Sequence, residues 1–207
     1  MGTRNLTAVM IDGQYKIAQY GQWDGYPSGQ GLTVLRFVSE AGNIDALRSA
    51  FRKVRFLEPE GKDKEFVESY SANAPEWPSD PDNRTPEQKH WFSTYASRDI
   101  GGDILKAVAN SNDNEVLLRN HIAFAGDSLF CEYAYVIDLD AGTFEIYQGF
   151  NKDPVTEGRF ISGADYLEKN DGYEPVKLLK TYQLNNLPNE ETFLADLEPS
   201  DEDEDAA

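Results

Sequence analysis

Short apolar runs separated by turn residues mark the first part of the chain. Residues 6–11 (LTAVMI) and 15–20 (YKIAQY) are rich in β-forming side chains, and Asp12-Gly13 lies between them. Asp-Gly between two such runs is a strong hairpin signal, because glycine accepts the positive φ that a type I′ turn requires. The pattern therefore predicts an N-terminal β-hairpin that leads into residues 22–27 (QWDGYP).

After the predicted hairpin, apolar residues recur at the spacing of an α-helix. Apolar residues at Leu32, Leu35 and Val38 predict a short helix over residues 32–40. A longer helix is predicted to begin at Asn43, which can serve as its N-cap. Its apolar positions recur every three to four residues, at Ile44, Leu47, Phe51, Val54 and Leu57. Further helices are predicted from residue 85, where Thr85-Pro86 forms a good start, and from residue 97 or 99.

The clearest strand pattern is at residues 130–140 (FCEYAYVIDLD), where two sets of residues alternate. In this alternation Cys131 falls on the same face as Tyr133 and Tyr135. Residues 143–150 (TFEIYQGF) are predicted to return antiparallel, and residues 158–162 and 176–184 are further strand candidates. Two hairpins with helices between them predict an α+β fold with a largely antiparallel sheet, for which a layered αββα sandwich is one arrangement.

One α+β domain is predicted over residues 1–197, followed by an acidic tail at residues 198–207 (EPSDEDEDAA). The tail holds six acidic residues and no basic residue, a composition typical of disordered, solvated extensions. Residues 59–84 are rich in turn-forming and polar residues. They are predicted to form a long loop or lid insertion, with a short helix at residues 63–70.

The charge balance limits the classes of partner. The chain carries a formal net charge of −18, and residues 1–197 still carry −12 when the six acids of the tail are set aside. This acidity disfavours direct binding of nucleic acid or of an anionic membrane surface. It leaves open an acidic surface that imitates nucleic acid and occupies a basic partner.

Residue counts and motifs argue against the common cofactor sites. One cysteine and two histidines, without ligand spacing among them, argue against a zinc or redox-metal centre. The chain contains neither of the usual glycine-rich phosphate loops, so no cofactor is expected. No leader and no apolar run long enough to cross a bilayer is found, and a cytoplasmic location is therefore expected.

The densest stretch of aromatic, amide and glycine residues is residues 15–31. Aromatic faces beside an amide and a carboxylate at the mouth of a sheet suit a small polar ligand. In this hypothesis Asp24 is a general base or ligand acceptor, and Gln22 orients the ligand. The predicted ligand-binding residues are Arg4, Tyr20, Gln22, Trp23, Asp24 and Tyr26. The alternative is a structural corner, in which Trp23 and Tyr26 fill the core and Asp24 caps a turn.

A second chemical hypothesis concerns the single cysteine. A Cys–His nucleophilic site would pair Cys131 with His121, with Asp127 or Asp138 orienting the histidine. A lone cysteine on an aromatic strand face is more often a small buried hydrophobic residue. The sequence therefore favours a structural role for Cys131.

Two motifs resemble those of a known family. Met1-Gly2-Thr3-Arg4 and the QWDGYP segment are similar to the opening of a family of uncharacterised proteins from phages, bacteria and fungi. Its members begin M-(A/G)-T-R and carry (Q/H)-W-D-G-Y-P after a short hairpin. Residues 97–101 (SRDIG) and 129–140 (LFCEYAYVIDLD) resemble the longer members as well. The resemblance covers most of residues 1–150 and implies no established activity.

A weaker likeness is to N-terminal-nucleophile hydrolases, in which a first strand and hairpin lead to an Arg or Asp pocket. It implies an αββα sandwich and amide hydrolysis, with Thr3, Arg4 and Asp24 at the matching positions. Removal of Met1 exposes Gly2, which carries no nucleophilic side chain, so this activity would require further trimming to Thr3.

Three functional hypotheses follow from these residues. The leading one is a cytosolic binding or interaction protein, with a small-ligand pocket or contact surface at residues 22–27. The first alternative is an amidohydrolase-like enzyme of the N-terminal-nucleophile type. The second alternative is an acidic mimic that occupies a basic partner.

Overall fold

A computed structural model describes residues 2–72, 85–86, 100–111 and 115–197 of the chain. Its strands are β1 (Asn5–Ile11), β2 (Gln14–Gly21), β3 (Val54–Phe56), β4 (Val116–Leu118), β5 (Tyr133–Asp138), β6 (Thr143–Gln148) and β7 (Lys177–Gln183). The α-helices given by these residues are α1 (Leu32–Ser39), α2 (Asn43–Ala50), α3 (Lys64–Ala72), α4 (Ile104–Ala109) and α5 (Glu190–Leu197). The predicted α+β class is confirmed.

A five-stranded sheet, in the order β2-β1-β5-β6-β7, forms the centre of the molecule. The predicted hairpins are both present, and Asp12 and Gly13 turn the first one with φ values of 54° and 67°. Three of the strand pairs are antiparallel, while β1 and β5 pair in parallel at the centre of the sheet. The sheet is therefore largely antiparallel, as predicted, around one parallel pair.

The sheet separates two different layers. One face carries Val9, Tyr135 and Phe144, which pack in one hydrophobic cluster with residues of α1, α2, α4 and α5. The opposite face packs against the irregular segments 122–131 and 160–176, which we call the loop layer; its buried residues include Ile122, Phe124, Phe160, Leu167 and Val176. In the described ranges this gives helices, sheet and loops in sequence, and no αββα sandwich.

Two sequence expectations are wrong in detail. The helix predicted from Asn43 ends at Ala50, because Val54–Phe56 forms β3 in parallel with β4 instead of a further turn. The strand predicted over residues 130–140 occupies only Tyr133–Asp138. Cys131 lies before it, where its N–H donates to the Asp127 carbonyl, and its side chain packs in the loop layer rather than with Tyr133 and Tyr135.

Several other expectations are met only in part by the described residues. The segment predicted as a long loop or lid contains α3, while residues 73–84 lie outside the described ranges. Residues 87–99, where helices were predicted, and the acidic tail at 198–207 also lie outside them. Residues 158–162, a strand candidate, form no strand. No helix in the described part of the chain has the length and apolar composition to cross a membrane.

Candidate functional site

Backbone hydrogen bonds hold residues 22–27 against the sheet. The N–H of Gly25 donates to the Thr3 carbonyl at 2.9 Å, and its carbonyl accepts the buried hydroxyl of Tyr135 at 2.8 Å. A Cβ atom at position 25 would lie 2.7 Å from the Thr3 oxygen, so this close approach requires glycine. The turn is therefore fixed by its main chain, independently of its large side chains.

Asp24 contributes its backbone to this turn. Its φ of 54° lies in the left-handed region, which aspartate tolerates better than most residues. Its carbonyl accepts the Gln30 N–H at 2.8 Å, whereas its carboxylate is exposed and makes no hydrogen bond to the described residues. In the structural-corner interpretation Asp24 caps a turn, and the group that does so here is its backbone carbonyl.

The two aromatic residues of the turn point outward. Trp23 is 44% exposed and Tyr26 is 53% exposed, so neither fills the core as the structural-corner interpretation required. The Trp23 ring lies so close to Gly2 that a Cβ atom there would collide with it. The Tyr26 ring lies 6.3 Å from that of Tyr133, at the first residue of β5. The backbone of residues 22–27 therefore has a structural role, whereas the Trp23 and Tyr26 side chains do not fill the core.

Tyr20 packs against the loop layer behind the turn and contacts Gln22. The Tyr20 hydroxyl donates to Gln22 Oε1 at 2.7 Å, and the Tyr20 ring meets Phe124 edge-on at 5.0 Å. The Tyr20 N–H donates to Nδ1 of His121 at 3.3 Å. These two predicted site residues contact each other, and they support the end of β2 from one side.

Arg4 lies at the start of β1, one strand further along the sheet. Its guanidinium carbon is 4.9 Å from the ring centre of Phe130, within the range of a cation–π contact. Its backbone exchanges hydrogen bonds with Glu132, which donates its N–H to the Arg4 carbonyl and accepts the Arg4 N–H at a side-chain oxygen. Phe130 itself is 43% exposed.

Phe150 follows β6 and has an unusual backbone conformation. Its φ of 54° places a bulky residue in the left-handed region, which costs about 1–2 kcal/mol. The N–H of Phe150 donates to the Ser128 carbonyl at 2.7 Å, so this conformation is held by a neighbouring segment. The ring is 56% exposed and gains little from burial in return. Strain without burial often marks a functional position.

These residues lie along one end of the sheet, at the C-terminal ends of β2 and β6 and the N-terminal ends of β1 and β5. We call this surface the aromatic end; it comprises Arg4, Trp23, Asp24, Tyr26, Phe130, Glu132 and Phe150. Four neighbouring strands are separated by three spacings of about 4.8 Å, so the surface is roughly 14 Å long. The described contacts do not bring Arg4, Gln22 and Asp24 together. Sequence reasoning missed Phe130 and Phe150, which only the strand order brings to this surface.

The Cys–His pair does not form in this fold. The Cys131 thiol is fully buried and hydrogen-bonds to the Tyr133 carbonyl, and burial raises its pKa. His121 directs Nδ1 to the Tyr20 N–H, and burial lowers the pKa of its imidazole. Neither group is activated by the other, as a nucleophilic site requires. Thr3 is also buried, with its carbonyl bonded to Gly25.

A second charged group lies toward the opposite end of the sheet. We call it the Arg159 cluster; it comprises Asp138, Glu145, Tyr147 and Arg159. The Arg159 guanidinium contacts Asp138 at 2.7 Å and both oxygens of Glu145 at 2.9 and 3.0 Å. Burial would raise the pKa values of the two carboxyls, but hydrogen bonds outweigh it and lower them: the Ala141 N–H and then Arg159 act on Asp138, and Arg159 and then Tyr147 act on Glu145. The inward alternation of Asp138 and Glu145 on one hairpin was a usable sequence signal for this cluster.

The described cavities lie elsewhere. A groove of about 550 Å³ runs between α1 and the segment before α5, and a cleft of about 470 Å³ opens in the loop layer beside Lys152 and Glu168. In the described ranges no group of three or more His, Cys, Asp or Glu side chains could hold a metal ion. No family model, curated protein or solved structure matches the chain. The geometry alone is therefore the basis for a function.

Proposed function

We propose that the protein is a cytoplasmic binding protein whose contact surface is the aromatic end of the sheet. The supporting observation is the grouping of Trp23, Tyr26, Phe130 and Phe150, each between 43% and 56% exposed, at the ends of neighbouring strands. Single exposed apolar residues are ordinary, whereas grouped ones are typical of interaction sites. Aromatic residues are also enriched at protein interfaces, because they offer large contact areas at low entropic cost.

The backbone of this surface is held in place before any ligand arrives. The hydrogen bonds of Gly25, Asp24 and Phe150 all join the aromatic end to neighbouring segments. Preorganisation of this kind lowers the entropic cost of binding. In this function the aromatic rings are the anchors, and Arg4 and Asp24 are polar groups that orient the ligand.

The amidohydrolase alternative has less support. It needs either a free Thr3 amine or a Cys131 thiolate beside His121, and the contacts of these residues favour structural roles. The acidic-mimic alternative shares one element with the proposal, because the net charge of −18 favours a basic partner.

The test compares two folded double variants. Tyr26→Ala/Phe150→Ala removes two anchors, and Leu178→Ala/Leu179→Ala removes two exposed apolar residues of β7 as a matched control. Binding is measured by biolayer interferometry against a panel of short peptides, oligosaccharides and nucleotides. We expect at least one compound to bind the wild type and the control, and to bind the anchor variant at least tenfold more weakly.

The contrary result is equally clear. If every compound that binds the wild type binds the folded anchor variant with the same affinity, the aromatic end is not the contact surface. Asp24→Ala is a milder probe of the same site. We expect it to weaken binding about threefold, as for the loss of one exposed polar contact.

A further inference from the structure

We infer that the ligand of the aromatic end is a basic segment of a partner protein, with arginine or lysine side chains that stack on the exposed rings. This inference rests on the proposed function and names the chemistry of its ligand. Its supports are a contact within the chain, the charge of the protein and the length of the surface.

The first support is the Arg4–Phe130 contact. A guanidinium already lies 4.9 Å from the centre of one of the exposed rings, so the surface binds this group within its own chain. The more exposed rings of Tyr26 and Phe150 present the same chemistry to solvent. Cations bind to aromatic faces through the ring quadrupole, and arginine does so most often.

The second support is electrostatic. The chain carries a net charge of −18, and the described residues of the aromatic end include the carboxylates of Asp24 and Glu132 and the cation of Arg4. Such a field attracts cationic segments from a distance and repels nucleic acids and anionic lipids. A neutral carbohydrate would gain nothing from it. Among ligands that bind to aromatic faces, a basic peptide therefore fits best.

The third support is the length of the surface. The roughly 14 Å between β2 and β6 corresponds to about four steps of an extended peptide, at about 3.3 Å per residue. A segment of about five residues with a basic residue at each end would place one cation near Trp23, two residues after the end of β2, and the other near Phe150, two residues after the end of β6. The spacing of the two cations is thus a specific expectation.

The experiment uses fluorescein-labelled heptapeptides of the form Gly-Arg-Gly-Ser-Gly-Arg-Gly. Matched peptides carry lysine, glutamine or glutamate in place of arginine. Affinities for the full chain are measured by fluorescence anisotropy at 50 and 300 mM NaCl. We expect the arginine peptide to bind at least tenfold more tightly than the glutamine peptide, with a weaker affinity at the higher salt concentration.

Variants then locate the peptide. Phe150→Ala and Phe150→Leu should both weaken arginine-peptide binding about fivefold, because leucine keeps the apolar bulk and removes the π face. Leu179→Ala, at an exposed apolar position of β7, should leave it unchanged. Thermal midpoints of all three variants confirm that they are folded.

The outcomes separate this inference from the function on which it rests. If all variants bind the arginine peptide with equal affinity, its binding site lies elsewhere on the acidic protein, and the inference is overturned. If, in addition, a neutral or acidic compound of the earlier panel still depends on Tyr26 and Phe150, the binding function stands with a different ligand. If no compound depends on them, both proposals fail.

Discussion

The Arg159 cluster and the aromatic end lie toward opposite ends of the same sheet, and their side chains differ in how far they are paired. In the Arg159 cluster, Arg159 pairs with Asp138 and Glu145. The Tyr147 hydroxyl donates a hydrogen bond to the Glu145 carboxylate at 2.6 Å. At the aromatic end, the hydrogen bonds between described residues come mainly from the backbone, and large rings such as those of Tyr26 and Phe150 are exposed.

This difference separates residues that maintain the fold from exposed residues that can contact a ligand. A buried ionic group whose members pair with one another has little capacity left for a ligand, but it is costly to break. A strained, exposed aromatic residue contributes little to stability and is available for contact. Substitutions at the two ends should therefore have opposite effects on stability and on binding.

The largest effect is expected from Arg159→Met. It leaves the carboxylates of Asp138 and Glu145, whose side chains are only 8% and 13% exposed, without their cation, and it should lower the free energy of unfolding by about 3 kcal/mol. Urea denaturation monitored by circular dichroism measures the loss. Arg36→Met is the matched control, since the Arg36–Glu190 pair is exposed and its loss should change stability little. Equal losses in the two variants would contradict a structural role for the cluster.

A smaller loss is expected from Tyr135→Phe. This change removes the buried hydroxyl that donates to the Gly25 carbonyl, and it should cost about 1–2 kcal/mol because a buried acceptor is left unpaired. Tyr26→Phe, at an exposed ring of the same turn, is the control and should be close to neutral. Equal stability of Tyr135→Phe and wild type in urea would mean that the turn does not depend on this bond.

A reversal of the usual ranking of glycine and alanine is expected at Phe150. Because its φ is positive, Phe150→Gly should be more stable than Phe150→Ala by about 1 kcal/mol. At Leu179 of β7 the order should be the opposite, since glycine weakens an extended strand. Urea midpoints of the four variants provide the comparison. The same order at both positions would show that Phe150 is not strained.

The smallest effect concerns pH. Burial lowers the pKa of His121 in the folded state below its ordinary value of 6.5, so the unfolded chain binds a proton first as the pH falls. Wild-type stability should therefore decrease as the pH falls below 6.5. His121→Gln should remove this component of the decrease, which unfolding curves at pH 7.5, 6.5 and 5.5 can resolve. Parallel pH profiles for the two proteins would rule out His121 as its source.

Local signals in the sequence predicted the local parts of the fold. The Asp12-Gly13 turn and the alternation at residues 130–140 specify hairpins whose partners lie a few residues apart. The extent of the helix from Asn43 could not be predicted in the same way. The apolar spacing through Val54 fits a helix, and only the distant partner Val116–Leu118 makes this segment a strand.

The sequence likewise indicated only the local part of the candidate site. The density of aromatic and glycine residues drew attention to residues 22–27, and the structure places Arg4, Trp23, Asp24 and Tyr26 at the same end of the sheet. Phe130 and Phe150 carried no comparable local signal. Their place beside Arg4 depends on the parallel pairing of β1 with β5, which no short-range pattern encodes.

That parallel pair also determines the order in which the molecule can assemble. Arg4 bonds to Glu132, 128 residues further along the chain, so the centre of the sheet forms only after the intervening residues have been made. At ribosomal rates of 5–20 residues per second, the first hairpin waits on the order of 10 s for its partner strand. During that interval the apolar faces of Leu6 and Val9 lack the cover that β5 and the two layers later supply. Refolding should accordingly be slow for the size of the chain, and protection of this nascent hairpin by a chaperone would favour correct assembly.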